Sequence, residues 1–274
     1  MFGHPIKHSA SPAMQNAGIE KLKLNWRYVA CEVKPENLCE AIEGARVMGF
    51  IGLNLTIPHK LLAVDMMDAL DDSAKKWGAV NTVHFVGQGK KVRAIGHNTD
   101  AEAITQALQK DLGVKLHGAK VLLLGAGGAG RTAALKLASE NVAELFLVNR
   151  TESKAITIAR EVRRRFPRVK TTVGYPDGKI DLLLNATSLG LKPNDSLPFD
   201  KQQFSLKQTR AVYDMIYRPV ETPLLKAARV AGCKTANGLG MLLYQGAKAL
   251  EIWSGKRAPV EVMRKALEKE VYGN

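Results

Sequence analysis

The feature that most constrains this chain is an uninterrupted apolar run that leads into a glycine-rich turn. Val121 to Leu124 form the run, and Gly125 to Gly130 follow with the spacing G-x-G-x-x-G. A continuous apolar run is typical of a parallel strand that is covered on both faces. Because an alanine-rich helix is predicted directly after the turn, from Arg131 to Ser139, we expect a strand–turn–helix unit of the dinucleotide-binding kind.

The glycines of this turn have separate roles in such a unit. Gly125 allows the tight turn, Gly127 lets the backbone approach a pyrophosphate, and Gly130 lets the helix pack closely on the strand. The free N–H groups at the start of the helix attract the phosphates. The alternative is an ordinary glycine-rich turn in an α/β protein. We predict cofactor contacts at five residues of the turn: Gly125, Ala126, Gly127, Gly128 and Ala129.

The end of the next predicted strand indicates which dinucleotide is bound. NAD sites usually carry an acidic residue there, which binds the 2′-hydroxyl of the ribose. This chain has Asn149-Arg150-Thr151 instead, with Lys154 about one helical turn further on. Cations without a carboxylate favour the additional phosphate of NADP. The alternative is that Arg150 and Lys154 are ordinary surface cations.

Strand-like and helix-like segments alternate along the whole chain, which predicts the α/β class. Predicted strands cover residues 26–33, 50–54, 80–86, 91–96, 121–124, 145–149, 169–173, 182–185 and 211–214. Predicted helices cover 35–48, a segment opened by Pro58, and 131–139, 152–166, 223–231, 239–253 and 259–271.

Composition places the chain among ordinary globular proteins. Hydrophobic residues make up 46% and charged residues 24%, which excludes a disordered or low-complexity chain. The sequence shows no apolar run of about 18 residues and no signal-peptide pattern. The three cysteines have neither metal-ligand spacing nor the pattern of a disulfide framework. We therefore expect a cytoplasmic protein with reduced thiols, no membrane contact and no metal.

The net charge of +14 indicates anionic partners. Part of the excess lies between residues 150 and 170, where Phe166 is the single aromatic residue. A nucleic-acid site usually places aromatic residues among the basic ones for base stacking. We therefore interpret this segment as a solvated basic helix, and we expect small anionic molecules as partners rather than nucleic acid.

Short polar motifs are dense in the first hundred residues. Ser9 and Ser11 precede a predicted helix, where hydroxyls and helix N–H groups suit a carboxylate, although plain helix capping is the alternative. Asn54 and Thr56 follow a predicted strand and should face the same way. None of these motifs is decisive alone.

Taken together and in order, the motifs resemble the shikimate dehydrogenase family over nearly the whole chain. They are Gly3-His4-Pro5-Ile6, His8-Ser9-Ala10-Ser11-Pro12, Asn54-Leu55-Thr56-Ile57-Pro58-His59-Lys60, Gly78-Ala79-Val80-Asn81-Thr82, Asn98-Thr99-Asp100, the glycine turn, Asn149-Arg150-Thr151, Asn185-Ala186-Thr187-Ser188, Asp214-Met215-Ile216-Tyr217 and 238–245. The resemblance implies NADPH-dependent reduction of 3-dehydroshikimate to shikimate in aromatic amino acid biosynthesis.

The resemblance also implies roles for single residues. Ser9 and Ser11 would hold the substrate carboxylate, and Lys60 and Asp100 would be the catalytic pair. The ring hydroxyls would be surrounded by Asn54, Thr56, Asn81, Asp100, Tyr217 and Gln245. The nicotinamide side of the site would be lined by Asp72, Thr187, Ser188, Met215 and Gly238.

The chemistry of the reaction supports the catalytic pair independently. Hydride addition to a ketone builds negative charge on oxygen, which requires a proton donor or a cation nearby. Lys60 can act as both, and Asp100 can orient its ammonium group. The alternatives are an exposed helix lysine for Lys60 and a helix N-cap for Asp100. We assign no role to His59, which occupies a position where the family often has an aromatic residue.

We expect two α/β domains around a cleft, with a hinge between them. Residues 1–100 and 237–274 would form the substrate domain, and 101–236 a doubly wound parallel-sheet domain for NADP. The rival functions are a quinate/shikimate dehydrogenase that uses NAD, a glutamyl-tRNA reductase-like enzyme and a catalytically silent NADP-binding regulator. The second rival would need a nucleophilic cysteine near the start, whereas Cys31 lies in a predicted strand. The sequence leaves open whether the protein is a monomer or a homodimer.

Overall fold

A computed structural model describes residues 1–6, 9–192 and 194–273, so His8 of the second motif lies outside the described residues. Contacts divide the chain into two compact units. The terminal unit comprises Met1–Asp100 and Leu242–Asn274, and the central unit comprises Ala101–Met241. Which unit binds which molecule stays a prediction at this point.

Strands and helices alternate in both units. The strands are β1 (Phe2–Gly3), β2 (Cys31–Glu32), β3 (Gly52–Asn54), β4 (Ala69–Leu70), β5 (Thr82–Val86), β6 (Arg93–His97), β7 (Lys120–Leu124), β8 (Glu144–Val148), β9 (Lys170–Val173), β10 (Ile180–Asn185), β11 (Thr209–Asp214) and β12 (Lys234–Asn237). The helices are α1 (Ser11–Lys21), α2 (Leu38–Val47), α3 (His59–Leu62), α4 (Asp72–Trp77), α5 (Asp100–Leu112), α6 (Gly128–Ser139), α7 (Glu152–Arg165), α8 (Pro223–Val230), α9 (Leu239–Ser254) and α10 (Val260–Tyr272).

The terminal unit is built on a four-stranded sheet with the order β3-β5-β6-β4. The pairs β3–β5 and β5–β6 are antiparallel, and β4 lies parallel to β6. Leu38, Ile42 and Ala45 of α2 are buried in one core with Leu53 and Val83 of the sheet. The helical spacing of these three residues was the basis for predicting a helix over 35–48, and its α-helical part begins at Leu38 after a 3₁₀ turn.

Helix α9 is fastened to the sheet of the terminal unit by a close contact. The indole N–H of Trp253 donates to the carbonyl oxygen of Val83 at 2.9 Å. A Cβ atom on Gly52 would lie 2.1 Å from that indole nitrogen and 2.4 Å from the same carbonyl oxygen. A side chain at position 52 would therefore push α9 away from the sheet.

The central unit contains six parallel strands in the order β12-β11-β10-β7-β8-β9. From its first strand, β7, this is the doubly wound order 3-2-1-4-5-6 of dinucleotide-binding folds, which confirms the predicted fold class. Val121 to Leu124 of β7 are fully buried, as a strand covered on both faces requires. Within the described residues, no helix has the length and apolarity to cross a membrane.

Some predictions of local structure were wrong. The strand predicted over 26–33 is reduced to Cys31–Glu32, because β2 pairs only with the two-residue strand β1. Strands β4 and β12 and helix α4 were not predicted, because they have two, four and six residues and are too short for a clear periodicity. Ser11 is the first residue of α1 rather than a residue before the helix.

Candidate functional site

A lysine–aspartate pair forms the chemical centre of the terminal unit. The Nζ of Lys60, on α3, donates to Oδ2 of Asp100, the first residue of α5, at 2.6 Å. The Lys60 side chain is 31% exposed and that of Asp100 is 10% exposed. The carbonyl oxygen of Lys60 also accepts the backbone N–H of Val80 at 2.8 Å, which ties α3 to the chain before Asn81. A held ammonium group with partial access can donate a proton or stabilise an oxyanion.

The two predicted carboxylate-binding serines lie at the start of α1. The Ser9 hydroxyl oxygen accepts the backbone N–H of Ser11 at 3.3 Å, and the hydroxyl donates to the sulfur of Met1 at 3.1 Å. Ser11 is buried, with 3% of its surface exposed. The N-cap of α1 is Ala10, whose side chain makes no capping bond, so neither serine occupies the N-cap position.

Two buried asparagines, Asn54 and Asn81, form a polar network next to Asp100. Nδ2 of Asn54 donates to Oγ1 of Thr82 at 2.9 Å and to the carbonyl oxygen of Asn81 at 3.2 Å. Nδ2 of Asn81 donates to Oγ1 of Thr99 at 2.9 Å, and Oδ1 of Asn81 accepts the backbone N–H of Thr99 at 2.8 Å. Since Asp100 follows directly, this network holds the backbone that carries the Asp100 carboxylate. The structure therefore brings Asn54 and Asn81 together.

The other predicted substrate residues are distributed over both units. Thr56 is half-buried, and its N–H donates to the carbonyl oxygen of Phe2 at 3.0 Å. Gln245 is half-buried on α9, with its Nε2 donating to the carbonyl oxygen of Leu242 at 2.8 Å. Tyr217 belongs to the central unit, where burial raises the pKa of its hydroxyl above the ordinary value. The tyrosine hydroxyl is therefore protonated at neutral pH and can donate.

The glycine-rich turn of the central unit fits a pyrophosphate. Gly125 has a φ of +104°, and a Cβ atom on Gly130 would lie 2.1 Å from the Gly125 carbonyl oxygen, so the fold itself requires these two glycines. A Cβ on Gly127 would meet nothing within 4 Å. Gly127 is also the N-cap of α6 and makes no side-chain cap, which leaves the N–H groups of the first turn available to an anion. The space next to Gly127 and Gly128 is therefore suited to a ligand.

The residues after β8 divide into two groups. Oδ1 of Asn149 accepts the N–H of Ala126 at 3.0 Å, and its Nδ2 donates to the carbonyl oxygen of Thr151 at 2.8 Å. Asn149 therefore braces the glycine turn. Arg150 and Lys154 are exposed, and neither makes an ion pair within the described part of the chain. These two cations can bind a phosphate.

A buried carboxylate organises the loops after β10 and β11, and sequence reasoning gave it no role. Asp214 is fully buried and accepts hydrogen bonds from Nδ2 of Asn185, from the Ile216 N–H and from the Thr222 hydroxyl, at 3.0, 3.1 and 2.7 Å. Burial raises the pKa of this carboxyl above its ordinary value, although the three hydrogen bonds oppose the shift. The side chain of Asn185 in turn accepts from the N–H and the hydroxyl of Thr187.

The remaining predicted cofactor residues lie near these loops, with one exception. A Cβ on Gly238 would lie 2.0 Å from the Met215 carbonyl oxygen, so these two residues are in close contact. Ser188 is exposed after β10. Asp72 belongs to the terminal unit and is the exposed first residue of α4, where the neighbouring Asp71 makes the cap.

A second polar cluster, absent from the sequence analysis, fastens α4 to β6. The Asp71 carboxylate accepts from the Ser73 hydroxyl, from the Ala74 N–H and from Nδ1 of His97, at 2.6, 2.8 and 2.9 Å. These bonds hold the pKa of Asp71 below its ordinary value, although burial acts in the opposite direction. His97 lies three residues before Asp100, so the cluster supports the end of β6.

His59 and the cysteines lie outside these clusters. His59 is fully buried, its Nε2 lies 2.9 Å from the carbonyl oxygen of Val33, and burial lowers the pKa of its ring. The cysteines Cys31, Cys39 and Cys233 are free thiols. Across the described residues, no group of three His, Cys, Asp or Glu side chains could hold a metal ion.

Family models match most of the chain. The shikimate dehydrogenase substrate binding domain matches residues 1–83, the shikimate / quinate 5-dehydrogenase model matches 106–186, and the shikimate 5′-dehydrogenase C-terminal domain matches 238–268. A shikimate dehydrogenase (NADP(+)) of Methanopyrus kandleri is 41% identical over 97% of this chain and 93% of its own length. The corresponding protein of Methanocaldococcus jannaschii is also 41% identical, over 97% of this chain and 94% of its own length.

Solved structures with the same fold cover both units. A shikimate dehydrogenase in complex with NADP+ has a TM-score of 0.87 and 38% identity, covering 98% of this chain and 94% of its own. The enzyme of Thermus thermophilus, in complex with NADP(H) and shikimate, has a TM-score of 0.85 and 35% identity, covering 98% of this chain and 97% of its own. A 5-ketofructose reductase of a Gluconobacter species is similar to the same extent, with a TM-score of 0.84, 36% identity and coverage of 98% and 96%.

Proposed function

The chain belongs to the shikimate dehydrogenase family, and from this premise we propose that it catalyses the reversible NADPH-dependent reduction of 3-dehydroshikimate to shikimate. This reaction is a step of the shikimate pathway, which leads to chorismate and the aromatic amino acids. The observation that carries the proposal is the 2.6 Å contact between Lys60 and Asp100, because ketone reduction requires such a proton donor.

Lys60 acts on the oxygen of the reacting carbonyl. NADPH, when bound, supplies the hydride. As the carbonyl oxygen takes on negative charge, the Lys60 ammonium stabilises it and donates the proton that completes the hydroxyl. Asp100 keeps the ammonium in place and accepts a hydrogen bond from a substrate hydroxyl. In the reverse direction Lys60 receives the proton from the shikimate hydroxyl.

The other substrate contacts follow from hydrogen-bonding capacity. Ser9 and Ser11 donate to the substrate carboxylate, since a hydroxyl carries a donor and an ionised carboxylate can only accept. The ring hydroxyls are bound by Asn54, Thr56, Asn81, Tyr217 and Gln245. The polar groups of Asn54 and Asn81 are supported by the hydrogen bonds of the asparagine network in the terminal unit.

The cofactor contacts are assigned to the central unit, with Asp72 of the terminal unit as an additional contact. The turn residues Gly125 to Ala129 bind the pyrophosphate, since α6 presents N–H groups without a side-chain cap there. Arg150 and Lys154 bind the 2′-phosphate, and Asn149 and Thr151 are further cofactor contacts. The nicotinamide side is lined by Thr187, Ser188, Met215 and Gly238.

The proposal also specifies partners and location. We assign small molecules rather than nucleic acid as partners, a cytoplasmic location, and a monomer or a homodimer as the assembly. Light scattering on the purified protein distinguishes the two assemblies.

The reaction is tested with purified protein by following the formation or consumption of the reduced nicotinamide cofactor. Shikimate, quinate and no substrate are each supplied with NADP⁺ and with NAD⁺, and 5-ketofructose is supplied with NADPH. We expect the highest kcat/KM with shikimate and NADP⁺. A higher value with quinate and NAD⁺, or with 5-ketofructose, would replace the proposed substrate, and no turnover in any arm would identify a silent NADP-binding protein.

A further inference from the structure

Tyr28 is held firmly in a segment that has no regular secondary structure. Its backbone N–H donates to Oδ1 of Asn16, and Nδ2 of Asn16 donates to its carbonyl oxygen, both at 2.9 Å. Its ring lies beside Trp253, with 6.1 Å between ring centroids, and 8% of the residue is exposed. The hydroxyl donates to Oδ1 of Asn54 at 2.7 Å. Tyr28 is therefore anchored at its backbone and its ring, and its hydroxyl has a defined direction.

The Tyr28 hydroxyl donates to the oxygen side of the Asn54 amide, in the orientation that the Asn81 carbonyl oxygen requires. Burial raises the pKa of this hydroxyl far above its ordinary value, so it keeps its proton and remains a donor. The oxygen side of the amide faces Tyr28, and the nitrogen side faces Thr82 and the Asn81 carbonyl oxygen, which can only accept. Both N–H groups of Asn54 are used by these two residues. Reversing the amide would place its oxygen against the carbonyl oxygen of Asn81, and two acceptors cannot form a hydrogen bond.

Thr82 joins the Asn54 amide to the Asn81 amide, which the backbone N–H of Thr99 orients in the same sense. Since Oγ1 of Thr82 accepts from Asn54, its proton is available for Oδ1 of Asn81, 3.2 Å away. Oδ1 of Asn81 also accepts the Thr99 N–H, and one N–H of Nδ2 goes to Oγ1 of Thr99. In the described structure the second N–H of Asn81 has no protein partner, so it is available to a ligand.

We propose that Tyr28 and Thr82 are positioning residues that, together with the Thr99 N–H, hold the Asn81 amide so that its remaining N–H is presented to a hydroxyl of the substrate ring. This inference rests on the proposed function, because it uses the substrate of that reaction. The ligand chemistry is a hydroxyl oxygen that accepts one hydrogen bond. Tyr28 has no contact with the ligand and acts through the chain Tyr28–Asn54–Thr82–Asn81.

The first test removes one hydroxyl and leaves the aromatic ring. We expect Tyr28→Phe to raise the KM for shikimate about tenfold, the loss expected when one hydrogen bond to the substrate is misdirected. The kcat and the KM for NADP⁺ should change less than about twofold. Tyr175→Phe is the matched control, since it removes a hydroxyl that accepts the N–H of Asp200 in the central unit. It should leave all three constants unchanged.

The second test uses Thr82, where the hydroxyl can be removed or kept. Thr82→Val removes it at nearly constant shape and should raise the KM for shikimate as Tyr28→Phe does. Thr82→Ser retains the hydroxyl and should restore the wild-type KM to within about twofold. Equal KM values in the valine and serine variants would overturn the inference.

A readout without substrate separates this inference from the proposed function. In NMR spectra, the side-chain amide resonances of Asn54 and Asn81 should move in Tyr28→Phe and Thr82→Val and stay in place in Thr82→Ser and Tyr175→Phe. If the wild type turns over shikimate and Tyr28→Phe has the same KM for it, the positioning role is refuted and the proposed function stands. Failure of the wild type to use shikimate would refute the function, and unmoved amide resonances in Tyr28→Phe would then refute the amide orientation independently.

Discussion

Substituting Gly127 with alanine separates ligand binding at the glycine turn from the structural needs of the turn. Gly127 has φ −82° and ψ −170°, a conformation that alanine adopts readily. Its added Cβ would meet no protein atom within 4 Å. Alanine is a poorer N-cap than glycine, but it also reduces the entropy of the unfolded chain, and these effects oppose each other. We expect the free energy of unfolding to change by less than about 1 kcal/mol.

Cofactor binding should respond quite differently to Gly127→Ala. The new methyl group would occupy the space that we assign to the pyrophosphate and would displace it from a backbone N–H. A hydrogen bond to a charged group contributes about 1.5–3 kcal/mol, which corresponds to roughly a tenfold to 150-fold weaker Kd for NADP⁺. The Kd is measured by calorimetry, and stability is measured by urea unfolding of the same samples.

Two further glycines provide the controls for this experiment. Gly44→Ala places a methyl group in open space within α2 and should stabilise the protein by about 0.5–1 kcal/mol without changing NADP⁺ binding. Gly130→Ala would set its Cβ 2.1 Å from the Gly125 carbonyl oxygen and should destabilise the protein by about 1–3 kcal/mol. An unchanged Kd for NADP⁺ in Gly127→Ala would refute the assignment of the turn to the pyrophosphate.

Three other substitutions test the remaining assignments. Lys60→Ala should lower kcat by about 10²–10⁴-fold and change the Kd for shikimate much less, because proton donation is lost; steady-state kinetics with a kcat within a few-fold of wild type would contradict the role. Arg150→Ala should raise the KM for NADP⁺ and leave the KM for NAD⁺ nearly unchanged. Added salt should weaken NADP⁺ binding more than NAD⁺ binding. Equal kcat/KM for the two cofactors in the wild type would speak against the phosphate site. Asp71→Asn keeps an N-capping side chain but removes the charge beside His97. Because the pKa of Asp71 is lowered from 3.8 in the folded protein, its stabilising effect is present above that pH and is lost as the pH falls through the folded value. The stability difference between wild type and Asp71→Asn, measured by urea unfolding, should therefore be largest at neutral pH and shrink in acid, and a constant difference would show that the charge has no part in it.

The sequence was informative where a local steric requirement selects a residue type. The glycine turn could be placed because glycine is required at Gly125 by its positive φ and at Gly130 by the close approach of the Gly125 carbonyl oxygen. Both requirements lie within six residues of chain. Five of the six strands of the parallel sheet were predicted from segments such as the apolar run Val121 to Leu124, since strands covered on both faces are rich in apolar side chains. The edge strand β12 escaped this criterion, because none of its residues is buried and it includes Lys234, Thr235 and Asn237.

The sequence was uninformative where a side chain acts through partners that are distant along the chain. Trp26 to Val33 has the composition of a strand, yet Tyr28 is fixed by Asn16 and by Asn54, which no local pattern relates to it. The same holds for Asp214, whose three hydrogen-bond donors could be identified only after β10, β11 and α8 were in place. The resemblance to a family supplied the candidate ligand-binding residues, but it did not reveal the buried groups that hold them.

The discontinuity of the terminal unit has a consequence for the order in which the protein can fold during synthesis. Trp253 and Val83 are separated by 170 residues, and Gln15 and Gly246 by 231, whereas the central unit is one continuous segment. A ribosome releases the chain from its N-terminus, so the whole central unit can emerge and fold while α9 and α10 are still being made. Until then the face of the sheet at Gly52 is open to water and to chaperones. The part of the enzyme that is synthesised first is therefore the last to be completed.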